Sequence, residues 1–400
     1  MNVVFFTDAY APRINGVYIS VSLYADALAK LGNKVMIVCM EYEPKRRFYF
    51  KRRCYYDKKT NQRPDVKVLR VPADKIIFSK EDRAGRLDQW VQIKHELDKF
   101  KPDIVHINTE FIIGYFGLIY ARHRHVKSIY TFHTLWEDYF SNYLKFAPAS
   151  FSKKAGKEFV RFYLKRVDTV IVPTNRIFNV VKEYNIDRPV HILPTGINPE
   201  IAEINSFEFS IFKFNFYKNY PNLKNKRILL YVGRIVKEKN LYFLLDVFNS
   251  IKKLHPDTAL LFVGGGPELE PLKNTVSKSE NANSIVFTGY VDRSILKFYY
   301  KLSNIFVFPS ITETQGLVTL EAMMVGIPVV AIGEMGTLDV MQGDNGGFMV
   351  KNDLDDFTSK VNLLLSDQET YNLKSQEALS HSHSWSIDIL AEKLIEIYKS

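Results

Sequence analysis

The sequence predicts an α/β protein of two Rossmann-like, doubly wound domains that face each other across a cleft. Three features of the 400-residue chain lead to this prediction. Short apolar, β-branched segments alternate with helical patterns, an alternation typical of parallel sheets with helices on both faces. The alternation restarts once, after a turn-rich segment that ends near residue 198. The length also exceeds what one compact core usually supports.

The first predicted domain, residues 1–198, begins with a buried strand. No basic segment precedes the apolar run Met1–Thr7, so we interpret it as a strand rather than as a signal peptide. A helix is expected over Val17–Leu31, because apolar side chains recur there at helical spacing. Strands are predicted at Val3–Thr7, Lys34–Met40, Lys67–Val71, Ile104–Ile107, Ser128–Phe132, Thr169–Val172 and His191–Leu193.

The second predicted domain covers residues 199–384. A polar segment dotted with aromatics, residues 200–226, precedes its first strand. Residues 385–400 contain a C-terminal helix, Ile387–Lys399, which either caps the second domain or crosses back to the first. Strands are predicted at Ile228–Val232, Ala259–Val263, Ile285–Thr288, Ile305–Phe308, Val329–Ile332 and Phe348–Val350.

Charge is distributed unevenly between the two halves. Residues 1–198 hold 34 lysines and arginines against 20 acidic residues, a formal charge of +14, whereas the remainder carries −4. The basic half suggests an anionic partner, either nucleic acid or an acidic membrane surface. No nucleic-acid-binding signature accompanies these cations, so nucleic acid is not expected. Cys39 and Cys54 indicate no disulfide framework and suit a reducing cytosol.

The strongest chemical motif is the segment Pro309–Ala322. A buried strand is expected to end at Ser310, and a helix to begin near Gly316–Leu317, where free backbone amides suit a diphosphate. Glu313 lies in the loop, where it could hold sugar hydroxyls. Glu321 lies about one turn into the helix, within reach of a group such as a ribose.

The alternative interpretation of this motif is an ordinary helix start, capped by Thr312 or Thr314. A second loop favours the chemical interpretation. There a predicted strand ends at Gly233, and two cations, Arg234 and Lys239, follow it. Arginine can fork across phosphate oxygens and lysine can act as a point charge, so the two loops together predict a diphosphate clamp.

These motifs resemble those of a known enzyme family. Glu313 and Glu321, with seven residues between them, match the Glu-x7-Glu signature of the retaining glycosyltransferases of family 4, which have the GT-B fold. Gly233–Lys239 is similar to the family's phosphate-binding segment. Tyr10–Val17 is similar to its first loop, and Tyr130–Thr134 to the strand that presents its active-site histidine. The resemblance extends over both predicted domains.

The resemblance implies a role for each matching residue. Positive side chains and helix-start amides would stabilise the leaving diphosphate, without a metal or another cofactor. His133 would contact the sugar or help to organise the acceptor, and a loop near Val291 would meet the base. The implied catalytic residues are His133, Arg234, Lys239 and Glu313; the implied donor-binding residues are Gly16, Gly233, Val291, Thr314, Gln315, Gly316, Leu317 and Glu321.

Four segments look like those of a subgroup, the bacterial 1,2-diacylglycerol 3-glycosyltransferases, which make membrane glycolipids. They are Val105–Phe111, His133–Tyr139, Phe146–Pro148 and Thr312–Leu317. The resemblance implies transfer of a hexose, glucose or galactose, from a UDP-sugar to diacylglycerol. It further implies a peripheral protein on the cytoplasmic side of the cell membrane. A family 4 transferase with a soluble or lipopolysaccharide acceptor is the alternative.

Two positions depart from the family's pattern. Asn15 and Asn240 stand where many members carry glycine. The approach of the backbone to the donor is therefore expected at Gly16 rather than at its neighbour.

Two basic, aromatic segments of the first half are candidates for contact with an anionic membrane. Lys45–Arg53 interleaves aromatics with six cations. Phe151–Arg166 has an apolar and a basic side at helical spacing, as in a helix that lies at a membrane surface. The alternative is that its aromatics face the core and its cations face water. The candidate membrane or acceptor residues are Lys154, Lys157, Phe159, Arg161, Phe162 and Lys165.

Other functions fit the sequence less well. Gly264–Pro267 follows a strand, but Leu269 replaces the third glycine of a dinucleotide fingerprint, which disfavours an oxidoreductase. The histidines lack metal-ligand spacing. Asp353–Asp356 is interpreted as a helix N-cap rather than as a metal-binding motif.

Overall fold

A computed structural model describes residues 1–13, 15–42, 53–57, 65–75, 83–134, 149–313 and 315–400, without the side chains of residues 75 and 149–153. The chain divides into two compact units. The first combines Met1–Gly196 with Ile387–Ser400, and the second is the continuous segment Ile197–Ser386. Both units are built on parallel sheets covered by helices, which confirms the predicted α/β class.

In its described residues, the first unit contains an eight-stranded sheet and a two-stranded hairpin. The sheet consists of β1 (Asn2–Thr7), β2 (Lys34–Met40), β3 (Tyr55–Tyr56), β4 (Val66–Val71), β7 (Ile104–Ile107), β8 (Lys127–Thr131), β9 (Thr169–Val172) and β10 (Val190–Ile192), and the hairpin of β5 (Ala73–Lys75) and β6 (Arg83–Gly85). The strand order is β10-β9-β8-β7-β1-β2-β4-β3. Only β3 pairs antiparallel within the described part of this sheet.

Two helices of the first unit begin at a residue whose side chain satisfies a free backbone amide. Oδ1 of Asn15 accepts a hydrogen bond from the Tyr18 amide at 2.9 Å, and Thr174 accepts in the same way from Ile177. The helices are α1 (Gly16–Lys30), α2 (Trp90–Phe100), α3 (Ile112–Arg124), α4 (Ala149–Leu164) and α5 (Asn175–Lys182).

The second unit is a doubly wound sheet of six parallel strands in its described residues. They are β11 (Arg227–Val232), β12 (Thr258–Val263), β13 (Ile285–Phe287), β14 (Ile305–Phe308), β15 (Val329–Ile332) and β16 (Gly347–Val350). Their order, β13-β12-β11-β14-β15-β16, is that of a Rossmann fold. The strands are almost wholly buried, which explains why they are apolar runs without alternation.

Helices cover both faces of this sheet. The Asp353 side chain accepts hydrogen bonds from the amides of Asp355 and Asp356, which confirms the predicted N-cap. The polar segment dotted with aromatics, residues 200–226, contains a 14-residue helix, α6, that was not predicted. The helices are α6 (Ser206–Asn219), α7 (Leu241–Leu254), α8 (Leu269–Ser277), α9 (Arg293–Leu302), α10 (Leu317–Met324), α11 (Gly336–Met341), α12 (Leu354–Ser366) and α13 (Gln368–His383).

The C-terminal helix α14 (Ile387–Lys399) belongs to the first unit. It packs on α1. Its apolar side chains Ile387, Leu390 and Leu394 are buried in the core that also contains Val3 and Ile37. Of the two arrangements that the sequence left open, the structure shows the helix with the first unit.

Candidate active site

Two loops of the second unit leave the carboxyl ends of neighbouring central strands. β11 leads into residues 233–240, and β14 leads into residues 309–316. The direction of winding reverses between these two strands. In open α/β sheets, ligands bind outside the carboxyl ends of the strands at such a switch point.

Lys239 and Glu313 meet at this switch point. The Lys239 Nζ atom lies 2.5 Å from Oε2 of Glu313 and 3.2 Å from Oγ of Ser310. The two charged side chains are 14% and 22% exposed, and Ser310 is fully buried. Thr312 joins the same loops, since its hydroxyl donates to the carbonyl oxygen of Glu238 at 3.3 Å. A cation and a carboxylate are therefore held together, partly shielded from water.

The start of α10 leaves backbone amides for an anion. Thr312 bonds to the neighbouring loop and does not cap the helix, whereas Thr314, the other capping candidate, lies outside the described residues. Gly316 precedes Leu317 with φ +70°, a conformation that favours glycine, and no described side chain caps it. The carbonyl of Glu313 also accepts a hydrogen bond from the Gly336 amide at 2.8 Å. The loop 309–316 is therefore held by two contacts, one from Thr312 to the loop after β11 and one from Gly336 to Glu313.

Arg234 is presented by a tightly packed glycine turn. The Tyr231 hydroxyl donates to the carbonyl oxygen of Arg234 at 3.0 Å. A Cβ at Gly233 would lie 2.7 Å from that hydroxyl, and one at Gly264 would lie 1.9 Å from the Gly233 carbonyl oxygen. Both positions therefore require glycine. The Arg234 side chain is exposed and forms no ion pair with a described residue, so its charge faces solvent.

Asn240 stands where many members of the resembling family carry glycine, and its backbone adopts a conformation that favours glycine. It has φ 55° and ψ 38°, in the left-handed region that asparagine tolerates better than most residues. Its amide donates to Oδ1 of Asn352 at 3.1 Å. The departure from the family pattern therefore keeps the turn that positions Lys239.

Glu321 is held in place by two residues that the sequence did not single out. It is 2% exposed, and the Arg293 guanidinium donates to its Oε1. The hydroxyl of the fully buried Tyr300 donates to Oε2 at 3.0 Å. Burial and the neighbouring Glu321 raise the pKa of Tyr300 well above its usual value, so it stays a donor. Each carboxylate oxygen keeps a lone pair for a further hydroxyl.

The predicted base-binding loop lies before α9. Val291 is partly buried against the core of the second unit. Its neighbour Tyr290 is largely exposed, and the Tyr290 ring covers Gly265, where a Cβ would lie 2.5 Å from the ring. An aromatic face beside the switch-point loops is suited to stacking on a planar ring.

In the first unit, β1 and β7 are neighbouring central strands, and their carboxyl ends lead to Asp8 and Asn108. Gly16 starts α1, and a Cβ there would meet nothing within 4 Å. The buried Asp8 carboxylate accepts from the Thr109 hydroxyl at 2.6 Å and from the Ile113 amide at 3.1 Å. Burial raises the pKa of Asp8. Asp8 therefore anchors the start of α3, while the backbone at Gly16 is open.

His133 follows β8 and is partly buried. Its Nε2 lies 3.0 Å from Oδ1 of Asn108, whose amide nitrogen donates to the carbonyl of His106 at 3.3 Å. Oδ1 of Asn108 thus accepts a hydrogen bond from the Nε2–H group of His133, which leaves Nδ1 of His133 as an acceptor. Burial lowers the pKa of His133 to about 4, so the ring is neutral at pH 7.

Helix α4 places the predicted membrane residues on different surfaces. Lys157 lies over the Tyr184 ring at 4.9 Å, and Arg161 donates to the carbonyl oxygen of Tyr184 at 3.1 Å. These two cations therefore make contacts within the unit. Phe159 is half-buried, whereas the other predicted membrane residues, Lys154, Phe162 and Lys165, are exposed. Phe151 and most of Lys45–Arg53 lie outside the described side chains.

Two sequence families match the chain. Residues 14–201 match the family described as "Glycosyltransferase Family 4", and residues 213–380 match the family described as "Glycosyl transferases group 1". Alpha-monoglucosyldiacylglycerol synthase of Acholeplasma laidlawii is 30% identical over 361 residues, which cover 88% of this chain and 86% of the relative. The chain belongs to glycosyltransferase family 4.

One further relative agrees with this assignment, and a solved structure shows the same fold. The synthase of the same name from Streptococcus pneumoniae is 30% identical to this glycosyltransferase over 340 residues, 83% of this chain and 71% of the relative. The Anabaena protein HepE, solved in complex with UDP-glucose, shares the fold with a TM-score of 0.73 and 13% identity, over 100% of this chain and 99% of HepE. The fold is therefore GT-B.

The structure of this glycosyltransferase brings together six of the predicted donor-side residues. The two switch-point loops of the second unit contain Gly233, Arg234, Lys239, Glu313, Gln315 and Gly316. Arg293 and Tyr300 had no recognisable sequence signal, since each acts by contacting Glu321, more than 20 positions along the chain. Asn108 belongs to the resembling segment Val105–Phe111, but no role had been assigned to it.

Each helix within the described residues is too short or too polar to span a bilayer. No group of three or more His, Cys, Asp or Glu side chains in that part of the chain could hold a metal ion.

Proposed function

We propose that this glycosyltransferase moves a hexose, glucose or galactose, from a UDP-sugar to diacylglycerol at a membrane surface, with retention of the anomeric configuration. The contact of Lys239 with Glu313 and Ser310, beside the exposed Arg234, carries the donor half of the proposal. The names of the two synthases and the charge of +14 on residues 1–198 support the lipid half.

In the proposed reaction, one bond of the anomeric carbon breaks and another forms in its place. The bond to the diphosphate oxygen breaks, and a bond to the acceptor oxygen forms on the same face of the sugar. The acceptor proton passes to an oxygen of the departing phosphate. Negative charge therefore grows on the diphosphate, where fixed positive groups have their largest effect.

Arg234 and Lys239 would supply that positive charge, together with the amides of Gly316 and Leu317. The exposed Arg234 guanidinium can fork across two phosphate oxygens, and Lys239 adds a point charge. The proposal needs no metal and no other cofactor, because these groups neutralise the leaving diphosphate.

The two glutamates would bind the two sugar rings of the donor, Glu313 the hexose and Glu321 the ribose. Lys239 holds Oε2 of Glu313, which leaves Oε1 to accept from hexose hydroxyls. Glu321, fixed by Arg293 and Tyr300, would accept from the ribose hydroxyls. The neutral His133 would accept a hydrogen bond at Nδ1 from a hydroxyl of the sugar or of the acceptor.

The acceptor side would place the protein on the cytoplasmic face of the membrane as a peripheral enzyme. Exposed cations such as Lys154 and Lys165 can contact an anionic leaflet, where each contributes about 1 kcal/mol. Phe162 is exposed next to them, with the Arg166 guanidinium 3.9 Å from the centre of its ring.

A transfer assay with defined vesicles tests the function. The protein is incubated with labelled UDP-glucose or UDP-galactose and vesicles that contain diacylglycerol and an anionic phospholipid. We expect a labelled monoglycosyldiacylglycerol whose anomeric configuration, determined by NMR, equals that of the donor. Inversion would contradict the retaining mechanism, and no lipid product with either sugar would contradict the acceptor.

The second candidate is a family 4 transferase with a soluble or lipopolysaccharide acceptor. It shares the donor site of the second unit, so donor binding does not separate the two. Product formed on a soluble or lipopolysaccharide acceptor, with none on diacylglycerol, would favour it.

A further inference from the structure

Helix α6 of the second unit presents aromatic side chains to solvent. Phe207 is 73% exposed, Ile211 47% and Phe214 71%. With about 100° between successive residues, these three and Lys218 fall within an arc of about 60° on the helix surface. The stripe is therefore continuous, and it ends in a cation.

The opposite face fixes this helix firmly to the unit. The Phe212 ring lies 5.3 Å from that of Phe298 and 4.9 Å from that of Tyr299, and the buried Phe216 lies 6.0 Å from Tyr299. Asn205 caps the helix by accepting from two backbone amides. The inner face of α6 packs against the second unit, and the helix start is capped. The exposed stripe therefore lies on a helix that is held in place.

We propose that α6 is a membrane-contact element of the second unit, which inserts Phe207 and Phe214 into the interfacial layer of an anionic bilayer. The proposal rests on the proposed function, in which the acceptor is a membrane lipid. It adds a contact in the second unit to those expected from the basic first half.

Charge supports a bilayer as the occupant. Lys218 lies within the stripe and Lys213 is also exposed on the helix, against one acidic residue, Glu208, in the first turn. Aromatics on one face with nearby lysines are typical of helices that lie in a membrane interface. Lysine stems extend so that their charge reaches the anionic headgroups.

Area argues against a second copy of the chain. Three side chains can cover only part of the roughly 800 Å² that each partner of a stable protein interface buries. A bilayer has no such minimum, because each ring that leaves water contributes separately. Reversible insertion therefore suits a patch of this size.

Vesicle sedimentation of the full chain tests the proposal, with 70:30 phosphatidylcholine and phosphatidylglycerol. The double variant Phe207→Asn and Phe214→Asn should weaken partitioning by about tenfold or more, since transfer of one large apolar side chain from water corresponds to about tenfold. The control, Leu254→Asn and Leu373→Asn, changes two exposed leucines on separate helices of the same unit and should leave partitioning within about twofold of the wild type. Circular dichroism establishes that both variants fold.

Two results would overturn the inference. One is wild-type partitioning by the folded phenylalanine variant. The other is a wild-type dimer in sedimentation velocity that this variant dissociates while vesicle binding stays unchanged. Transfer to diacylglycerol in detergent micelles separates this inference from the proposed function. If vesicle binding does not depend on the two phenylalanines but wild type and variant are equally active in micelles, the α6 inference fails and the proposed function stands. If neither protein transfers sugar to diacylglycerol in micelles, the proposed function is contradicted, and the vesicle result still decides the α6 inference.

Discussion

Removal of the Lys239 charge should nearly abolish transfer without unfolding the protein. In Lys239→Met, the side chain keeps much of its apolar stem and loses the ammonium group, 2.5 Å from Glu313. Loss of one fixed donor to a developing negative charge typically costs a factor of about 10²–10³ in turnover, or about 2.7–4 kcal/mol. We therefore expect kcat/KM for UDP-glucose to fall at least about a hundredfold.

Stability should change much less. The ion pair with Glu313 is partly exposed, and such pairs contribute about 1 kcal/mol or less. In a unit of this size that corresponds to a fall in Tm of about 2–4 °C. At 25 °C the variant stays folded, so a hundredfold loss of turnover cannot come from unfolding.

Lys237 supplies the matched control. It belongs to the same turn as Lys239, but its side chain is 85% exposed and lies 4.0 Å from the Glu268 carboxylate. Lys237→Met should retain turnover within about threefold, as exposed substitutions usually do. Initial rates with labelled donor and Tm by calorimetry are measured for both variants. Turnover of Lys239→Met within threefold of the wild type would refute the assignment of its charge to the leaving diphosphate.

Four other expectations concern separate parts of the molecule. Arg234→Ala should lower kcat by orders of magnitude and leave Tm unchanged, since its guanidinium is exposed and forms no ion pair with a described residue; a normal kcat would remove it from the clamp. Tyr300→Phe leaves Oε2 of the buried Glu321 without its donor, so it should cost about 1–3 kcal/mol in denaturant unfolding and raise KM for the donor; an unchanged KM would argue against the ribose role. The free energy of unfolding should fall as pH drops from about 6.5 towards 4, by up to about 1.4 kcal/mol per pH unit for each of His133 and His106. The sign follows because burial lowers their folded pKa values to about 4 and about 3, so the unfolded chain binds protons first; a weaker slope in His133→Gln would identify its share. Charge reversal at Lys154 and Lys165 should weaken binding to anionic vesicles, whereas reversal at the exposed Lys253 and Lys278, in the other unit and outside α6, controls for net charge; equal binding would remove α4 from the membrane contact.

The strands were predictable because burial on both faces leaves a direct mark on the sequence. Ile305–Phe308 and Val329–Ile332 were predicted with the bounds that the structure shows. Helix α6 was not predicted because aromatic side chains lie on both of its faces, Phe212 and Phe216 on the inner face and Phe207 and Phe214 on the outer face. The sequence therefore lacks the contrast between one apolar and one polar side that indicates an amphipathic helix. The two-residue strand β3 is too short to show any period.

The position of the candidate site was predictable to the level of loops. Glu313, Arg234 and Lys239 were predicted to follow buried strands, and they do so in the structure, whereas their roles in the reaction stay predictions. The direct pairing of Lys239 with Glu313 was not predictable, since it joins residues 74 positions apart and depends on how two loops pack. Lys157 and Arg161 show the same limit, because helical spacing assigned them to a membrane face while Tyr184 holds both within the unit.

The assignment of α14 to the first unit has a consequence for synthesis on the ribosome. The second unit is one continuous segment, so its whole sequence is synthesised between the two parts of the first unit. Until residues 387–400 are made, the first unit lacks Leu390 and Leu394 in its core, and the Tyr398 hydroxyl that lies 2.7 Å from Nδ1 of His106. The first unit is therefore completed only after the second unit has been synthesised, and the buried His106 gains its partner only then.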